Sequence, residues 1–269
     1  MSKPRITQQG TWTPPGIVRK QWIRYALFAA AALYLAAGLH SIDVRWERVV
    51  MGLDRAGRFF AGFINPDFAS RGEVIFQGIL ESLTMTVVST VFGIVLSIPI
   101  ALGAARNIAT TPVYLLCRGI VTISRTFQEV IIAIFFVAMF GFGPFAGVMT
   151  LSFATIGFLA KLLAEDIEEI DPVQLEAIRA TGAGWFKIIS YAVQPQVMPR
   201  LIGLSLYRLD INFRESAIIG IVGAGGIGAA LNTAFSRYEY DTSAAILLII
   251  IGVVLVAEHI SGLIRKRIA

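Results

Sequence analysis

Residues 176–182 of this chain read Glu-Ala-Ile-Arg-Ala-Thr-Gly, a polar segment that ends in glycine and lies between long apolar runs. Asp171 and Pro172 precede it. Asp is a favoured N-cap residue, and Pro suits the first helical position because its missing N–H would have no partner there. Gly182 stands where a glycine commonly ends a helix. The pattern predicts a short capped helix over residues 172–181, exposed to water or to a soluble partner.

The composition of the 269-residue chain is typical of a membrane protein. Its mean hydropathy is +0.71. Hydrophobic residues make up 56% of the chain and charged residues 15%, whereas about a quarter of a soluble domain is charged. The formal net charge of +5 suits a membrane protein with a basic cytoplasmic side. Nucleic-acid binding is disfavoured, because the basic residues are scattered among membrane-length apolar runs.

Cysteine and histidine usage argues against a disulfide framework and against a metal site. Cys117 is the single cysteine of the chain, which excludes an internal disulfide. The two histidines, His40 and His259, lie far apart in sequence at the ends of apolar runs. We therefore expect interfacial polar residues at these positions and no metal ligands.

Six apolar segments are candidates to cross a bilayer, which takes about 20 residues each. They are residues 25–39, 82–105, 118–140, 145–163, a segment that begins at residue 201, and residues 242–257. An even number of spans places both basic termini on the cytoplasmic side, in agreement with the positive-inside rule. The first segment also fits a cleaved signal peptide, but the basic region before it is long for one and further spans follow. The sequence thus predicts an all-α, polytopic membrane helical bundle of about six transmembrane helices.

Three regions are predicted along the chain. Residues 1–78 hold a cytoplasmic basic N-terminus, the first transmembrane helix and a periplasmic interfacial segment. Residues 79–262 form the transmembrane domain with a cytoplasmic loop at residues 164–200, and residues 263–269 form a cytoplasmic basic tail. Within residues 40–78, apolar residues recur at helical spacing between charges. This pattern fits an amphipathic helix on the membrane surface and equally a helix packed on the periplasmic face of its own bundle.

Small residues form a stripe on the second span. Ser89, Gly93, Ser97 and Ala101 recur every four residues. Small side chains at this spacing let helix backbones approach closely in a membrane. We therefore expect a packing face here and no binding site.

Charged residues interrupt the third and fifth spans, and charges inside a bilayer usually face a cavity or a partner. They are Arg125, Glu129, Arg208, Asp210, Arg214 and Glu215. In one interpretation, at least one of the arginines faces a translocation path. In the other, Asp210 neutralises Arg214, and Glu129 neutralises Arg125, which would hold helices together. Arg208 and Glu215 share a helix face but lie two turns apart, so we expect them to be too distant to touch.

Residues 223–228 match the pattern Gly-x-Gly-x-x-Gly. A dinucleotide-binding loop would need a strand before it, a helix after it and an acidic residue about 20 positions further on. That context is missing from the sequence. A flexible break or close backbone packing at the outer end of the fifth span is the expected role.

Four residues resemble, in register, the signature loop of ABC importer permeases: Glu176, Ala177 and Gly182 in the polar segment, and Pro195 after it. The family pattern is Glu-Ala-Ala, three residues, Gly, nine residues, then Ile-x-Leu-Pro. The chain departs from the second Ala, the Ile and the Leu of this pattern, at Ile178, Ala192 and Gln194. In the family, this loop forms the coupling helices, which sit in a groove on a cytoplasmic ATPase.

Three further stretches resemble the phosphonate importer permeases, namely residues 125–129, 207–216 and 222–228. The likeness covers most of the chain from about Gln77 onward. The glycine-rich end also resembles methionine importer permeases, which keeps that substrate, or another small solute, as an alternative. The resemblance implies the type I ABC importer permease fold, multi-pass in the bacterial cell inner membrane with both termini cytoplasmic.

The resemblance also implies roles for particular residues. Contacts with the ATPase are expected from the signature loop, at Glu176, Ala177, Arg179, Gly182 and Pro195. Candidates for the translocation path are the charged residues of the third and fifth spans, Arg125, Glu129, Arg208, Asp210, Arg214 and Glu215. The cargo implied is a phosphonate-type anion, such as a phosphonate, phosphite or phosphate ester.

The expected partners are a second copy of the chain in a homodimer, two ABC ATPase subunits, a periplasmic substrate-binding protein and membrane lipid. No cofactor is expected in this chain, and ATP and Mg would bind the ATPase. The chain is therefore expected to be a transport subunit and not an enzyme. A membrane-embedded enzyme would need a clustered nucleophile, base or metal site in the spans. A scaffold that only docks a partner would not need charges deep in two spans.

Overall fold

The computed structural model describes residues 20–41 and 45–268, with side chains through residue 264. Within these residues every regular element is helical, as predicted. The chain divides into two compact units, residues 1–55 and 56–269. Predictions about the basic N-terminus and about the side chains of the basic tail concern residues outside the described part.

The first unit contains α1, Gln21–Ser41, and the beginning of α2, Trp46–Gly62. None of the 21 residues of α1 is buried, and the helix is apolar and long enough to cross a membrane. A helix that is apolar all round needs an apolar surrounding such as lipid. This agrees with the first predicted span.

The second unit continues with helices joined by short turns. They are α3 (Gly72–Ala104), α4 (Thr111–Thr126), α5 (Glu129–Phe140), α6 (Pro144–Glu168), α7 (Pro172–Ala180), α8 (Trp185–Ile188), α9 (Gln194–Ile219), α10 (Gly226–Ser236) and α11 (Tyr240–Ile268). One π-helical turn, Ile189–Val193, joins α8 to α9, and another, Gly220–Ala224, follows α9.

The number of spans agrees with the prediction of about six. Among the described residues, four helices are each long and apolar enough to cross a membrane: α1, α3, α6 and α11 as far as Ile264. Two bent pairs also qualify. The pair α4 and α5 is bent by 96°, and the helical stretch Trp185–Ala224 is bent by 58° against α10. If each bent pair is one span, the total is six.

The third predicted span, residues 118–140, is wrong as a single helix. The chain breaks between α4 and α5, where Phe127 and Gln128 adopt extended backbone angles. No glycine or proline marks this break in the sequence. Because the helix stops here, Arg125 and Glu129 lie at two helix ends and not on one continuous helix face.

The stripe of small residues on α3 is a packing face, as predicted. Ser89, Gly93, Ser97 and Ala101 are all buried. A methyl group at Gly93 would overlap the side chain of Thr155 on α6. The small residues therefore let the backbones of α3 and α6 come close together.

Sequence reasoning would end the helix that begins at Trp185 before Pro195, and the structure shows otherwise. The helical stretch that begins at Trp185 passes through the π-helical turn directly into α9. Pro195 lies in the first turn of α9, directly after the π-helical turn, and has no N–H to donate. The end of the polar loop, from Trp185 onward, and the fifth span are thus parts of one continuous helical path.

The C-terminal end of α2 packs within the second unit. Phe59 stacks on Phe235 with ring centroids 5.7 Å apart and meets the Tyr240 ring edge-on at 6.0 Å. A methyl group at Gly62 would come within 2.7 Å of the Tyr240 carbonyl oxygen. For this end of α2, the packing favours a helix held against its own bundle.

The predicted region boundaries do not coincide with helix ends. The boundary after residue 78 falls inside α3, and the boundary after residue 262 falls inside α11. Each helix continues across its boundary. The cytoplasmic and periplasmic assignments of the three regions stay predictions.

Close backbone packing explains the glycine-rich segment after α9, as the sequence suggested. Gly223 and Gly225 have φ angles of 102° and 79°, a region that glycine adopts without strain. A methyl group at Gly228 would overlap the carbonyl oxygen of Ala217 and lie 2.9 Å from the Cα of Gly220. The glycines therefore let α10 fold back tightly on the end of α9.

Gly228→Ala should lower the free energy of unfolding by about 2 kcal/mol, because the backbone atoms that a methyl group meets cannot rotate away. Thermal unfolding of the detergent-solubilised protein measures this loss. Gly252→Ala is the matched control, since an added methyl at Gly252 in α11 has no heavy atom within 4 Å. Equal melting temperatures for the two variants would contradict the close contact between α9 and α10.

Candidate functional site

A buried arginine on α9 is the centre of the candidate site. The side chain of Arg208 is 3% exposed, and its Nη2 lies 3.1 Å from Oε2 of Glu215 and 4.0 Å from Oε1 of Glu129. The expectation that Arg208 and Glu215 are too far apart to touch is therefore wrong. Two helical turns rise about 11 Å, and the long side chains of Arg and Glu bridge this distance along the helix.

A polar network continues from Arg208 into the neighbouring helices. Its Nε donates to Oγ1 of Thr155 on α6 at 3.2 Å. Nδ2 of Asn212 donates to Oγ1 of Thr155 at 3.0 Å and to Oγ1 of Thr90 on α3 at 2.8 Å. The guanidinium also lies over the ring of Phe158, 5.5 Å from its centroid. Buried polar groups with partners of this kind hold helices in a fixed arrangement.

No role was predicted from the sequence for these supporting residues. Asn212 carried a usable signal, since it lies four residues after Arg208 and therefore on the same helix face. The sequence gives no such signal for Thr155 and Phe158. They belong to an apolar span, and only the packing of α6 on α9 brings them to Arg208.

A cavity of about 350 Å³ opens where α4, α5, α6 and α9 meet. Most of its walls are polar or charged. The lining residues are Ser124, Arg125, Thr126, Phe127, Gln128, Glu129, Ala154, Phe158 and Arg208. The structure thus brings together three of the predicted path residues, with Glu215 behind them against Arg208.

Two other predicted path residues do not line this cavity. Asp210 and Arg214 pair with each other at 3.1 Å on α9, as one interpretation of the sequence proposed. The companion pair in that interpretation is not formed: Glu129 faces Arg208, and Arg125 takes part in no ion pair among the described residues.

The predicted capped helix is present as α7. Oδ1 of Asp171 accepts a hydrogen bond from the backbone N–H of Val173 at 2.9 Å. At the other end, Gly182 has a φ of +75° and donates its N–H to the carbonyl of Arg179 at 3.0 Å. Leu175 is buried and packs into the hydrophobic core, which anchors one face of α7 to the bundle.

Hydrogen bonds link α7 to the turn after α3, and through it to the end of α6 and the middle of α4. Arg179 donates to the carbonyl of Asn107 at 3.1 Å, and the Asn107 amide donates to the carbonyl of Ile167 at 2.7 Å. Glu168 accepts from Arg118 at 2.9 Å and from the backbone N–H of Arg106 at 2.7 Å. The turn after α3, the middle of α4 and the end of α6 therefore form one connected support for α7.

The opposite face of α7 and the adjoining helix are open. Glu176, Ala177 and Pro195 are all exposed. Phe186 is 80% exposed and Val173 is 69% exposed. Large apolar side chains that protrude from a polar loop are typical of a surface that a protein partner covers. The sequence analysis did not single out these two residues.

Residues 93–269 match the protein family described as "Binding-protein-dependent transport system inner membrane component". The chain is 43% identical over 210 residues to the phosphate-import permease protein PhnE of Mycolicibacterium smegmatis, a match that covers 78% of this chain and 40% of that protein. It is 38% identical over 203 residues to the phosphite transport system permease protein PtxC of Stutzerimonas stutzeri, covering 75% and 74%. The chain thus spans less than half the length of the first relative and about three quarters of the second.

A solved structure of the MetNI methionine ABC transporter in inward-facing conformations is similar in fold. Its TM-score is 0.66 at 24% identity, and the match covers 75% of this chain and all of that chain. This likeness confirms the predicted helical fold of a type I ABC importer permease.

Glu215→Gln should lower the free energy of unfolding by about 3 kcal/mol, because it leaves the buried charge of Arg208 without its nearest partner. Glu165→Gln is the matched control. It breaks the exposed pair with Lys161, whose atoms lie 3.5 Å apart, and should cost about 0.5 kcal/mol. Chemical unfolding of both variants in detergent checks the difference, and equal losses would contradict a buried ion pair at Arg208.

Proposed function

The chain belongs to the family of binding-protein-dependent transport system inner membrane components, and on that premise we propose that it is the permease subunit of an ATP-driven importer for phosphonate-type anions. The cavity between α4, α5, α6 and α9 is the observation that carries this proposal, because it places two arginines inside the bent pairs of helices that cross the membrane. Intramembrane charges of this kind mark substrate pathways in transporters.

The names of the relatives support a phosphorus oxyanion as the cargo. One relative at 43% identity is named for phosphate import and one at 38% identity for phosphite transport. The likeness to the methionine transporter lies at 24% identity and concerns the fold. A phosphonate, a phosphite or a phosphate ester is therefore the proposed cargo, and methionine or another small solute is the alternative.

In the proposed mechanism, the chain forms and breaks no covalent bond in its cargo. It supplies a path past Arg125, Glu129 and Arg208, with Glu215 holding Arg208 in place. The spans rock between an outward-open and an inward-open arrangement, which gives alternating access to the path. Hydrolysis of ATP in a separate subunit provides the free energy.

The lever in this mechanism is α7. Its capped ends make it a defined short helix, and its hydrogen-bonded link to the turn after α3, the middle of α4 and the end of α6 supports the transfer of a push from the cytoplasm to the bundle. We propose that Glu176, with Ala177 and the exposed apolar residues nearby, docks on an ATPase. Gly182 allows the tight exit from α7, and Pro195 lies at the start of the return helix. Arg179 is already bonded within the chain, so its role in coupling is to fix α7 to the bundle.

The proposed assembly contains two copies of this chain, two ABC ATPase subunits and a periplasmic substrate-binding protein. ATP and Mg bind the ATPase subunits, and lipid surrounds the spans. Both termini lie on the cytoplasmic side of the inner membrane, so that α7 faces the ATPase. Selection among related anions occurs first in the binding protein and again in the membrane.

Uptake of labelled methylphosphonate by cells should require this gene. Unlabelled phosphite or phosphate should compete with it, because these anions share the charged tetrahedral group, whereas methionine should not. Comparing cells with and without the gene makes the measurement. Gene-dependent uptake of methionine with none of the phosphonate would keep the importer and overturn the proposed cargo.

Glu176→Ala should abolish uptake and substrate-stimulated ATP hydrolysis in the reconstituted complex without lowering the amount of permease in the membrane. The reason is that Glu176 lies on the exposed face of α7, where a partner can dock. Gln174→Ala, on an exposed position of the same helix, is the control and should transport normally. A variant at Glu176 that works normally would remove this residue from the coupling surface. If the chain were instead a membrane-embedded enzyme, its activity would not change in the Glu176→Ala variant.

A further inference from the structure

The two arginines that line the cavity differ in how their charges are balanced. Arg208 is almost completely buried and faces two carboxylates, Glu215 at 3.1 Å and Glu129 at 4.0 Å. Its Nε is used by Thr155. A guanidinium with these neighbours is already neutralised and hydrogen-bonded, so an anion could approach it only in competition with two fixed carboxylates.

Arg125 has the opposite character. It lies in the last turn of α4, its side chain is exposed at the cavity, and it takes part in no ion pair among the described residues. Its planar fork of N–H donors matches two oxygens of a tetrahedral oxyanion. Of the two cations at the cavity, Arg125 is therefore the one with donors available for a ligand.

Uncharged polar groups surround Arg125, and the one carboxylate that lines the same cavity, that of Glu129, lies 4.0 Å from the Arg208 guanidinium. Thr126 and Gln128 supply polar side chains to the cavity wall. The N-terminus of α5, at Gln128 and Glu129, lies at the same wall and carries no side-chain cap. The N-terminal end of a helix carries a partial positive charge that stabilises anions.

The packing around Arg125 holds it in position. Ser124 donates to the carbonyl of Phe153 on α6 at 2.7 Å. A methyl group at Gly157 would overlap Ser124 and lie 3.2 Å from Cγ of Arg125. Because α6 has a glycine at this point, the end of α4 can approach it closely and direct Arg125 to the cavity. The arginine is thus exposed to the cavity but rests on a defined backbone.

We infer that Arg125 is the residue that contacts the negative charge of the transported anion, whereas Arg208 is a positioning residue whose charge serves to hold α5, α6 and α9 together. This inference rests on the proposed function and deepens it, since it assigns anion contact in the membrane to one side chain. The contact supplies a selection step for anionic cargo after release from the binding protein.

The single cysteine of the chain makes a charge-replacement experiment possible. Cys117 is buried, and Cys117→Ala gives a cysteine-free permease in which R125C introduces one thiol at the cavity. The full complex, with ATPase and binding protein, is reconstituted in lipid vesicles, and methylphosphonate is supplied to it for uptake. Uptake is then measured before and after treatment with a methanethiosulfonate that adds a positive aminoethyl group, or one that adds a negative sulfonatoethyl group.

Uptake by the R125C complex should fall about tenfold or more, the loss expected when a charge-assisted hydrogen bond is removed. The positive reagent should restore part of it, because it returns the charge but not the planar fork of donors, and the negative reagent should restore none. Bound methylphosphonate should also slow the modification of the thiol. The Cys117→Ala complex treated with the same reagents controls for thiols of the partner subunits. K161C in that background controls for loss of a cation outside the cavity and should transport normally.

Wild-type uptake by R125C, or equal effects of the two reagents, would overturn the role of Arg125 while leaving the proposed function in place. Failure of the wild-type complex to take up methylphosphonate would instead overturn the proposed function.

Arg125→Gln and Arg125→Lys in the native chain give the same comparison without chemical modification. The first should lose uptake, and the second should keep part of it, because lysine keeps the charge but not the planar fork of donors. Equal loss in both, at normal protein level, would contradict a role based on charge.

Discussion

The buried charge of Arg208 is the constraint on which the arrangement of the helices depends. A guanidinium held away from water needs opposite charge and hydrogen-bond acceptors close by. Glu215 on the same helix and Glu129 on α5 provide the charge, and Thr155 on α6 provides an acceptor. Asn212 extends the same network to α3. Arg208 and Asn212 therefore fix the relative positions of α3, α5, α6 and α9, because a shift of these helices would expose or unpair the buried polar groups.

Close backbone approach makes this polar network possible. The hydroxyl and amide groups are short, so they reach each other only where helices are separated by small residues. Gly93 on α3 gives space to Thr155, and Gly157 on α6 gives space to Ser124. At the end of the fifth span, glycines likewise let the backbones of α9 and α10 approach closely. Small residues therefore allow the helices to pack closely, and the few charged residues determine which arrangement of the helices is stable.

Helix α6 connects the cavity to the cytoplasmic loop predicted at residues 164–200. Its middle part carries Thr155 and Phe158, which contact Arg208. Its end carries Glu168, which holds Arg118 and the turn that supports α7. Helix α6 has 25 residues and no proline beyond its first turn, and sharp helix kinks occur mostly at proline, at Gly/Ser pairs or at π-bulges. In the proposed import cycle, a push on α7 thus reaches the cavity through a single unbroken helix.

The sequence by itself determined the features that depend on neighbours along the chain. These are the helical membrane class, the approximate number of spans, the capped helix between Asp171 and Gly182, and the packing stripe on α3, because hydrophobicity, capping and helical spacing are local properties. Only the tertiary structure decided the break after Thr126, the approach of Glu129 and Thr155 to Arg208, and the residues of α6 that line the cavity. No local signal marks these features, since they arise where a buried charge must find partners on helices that are distant in sequence.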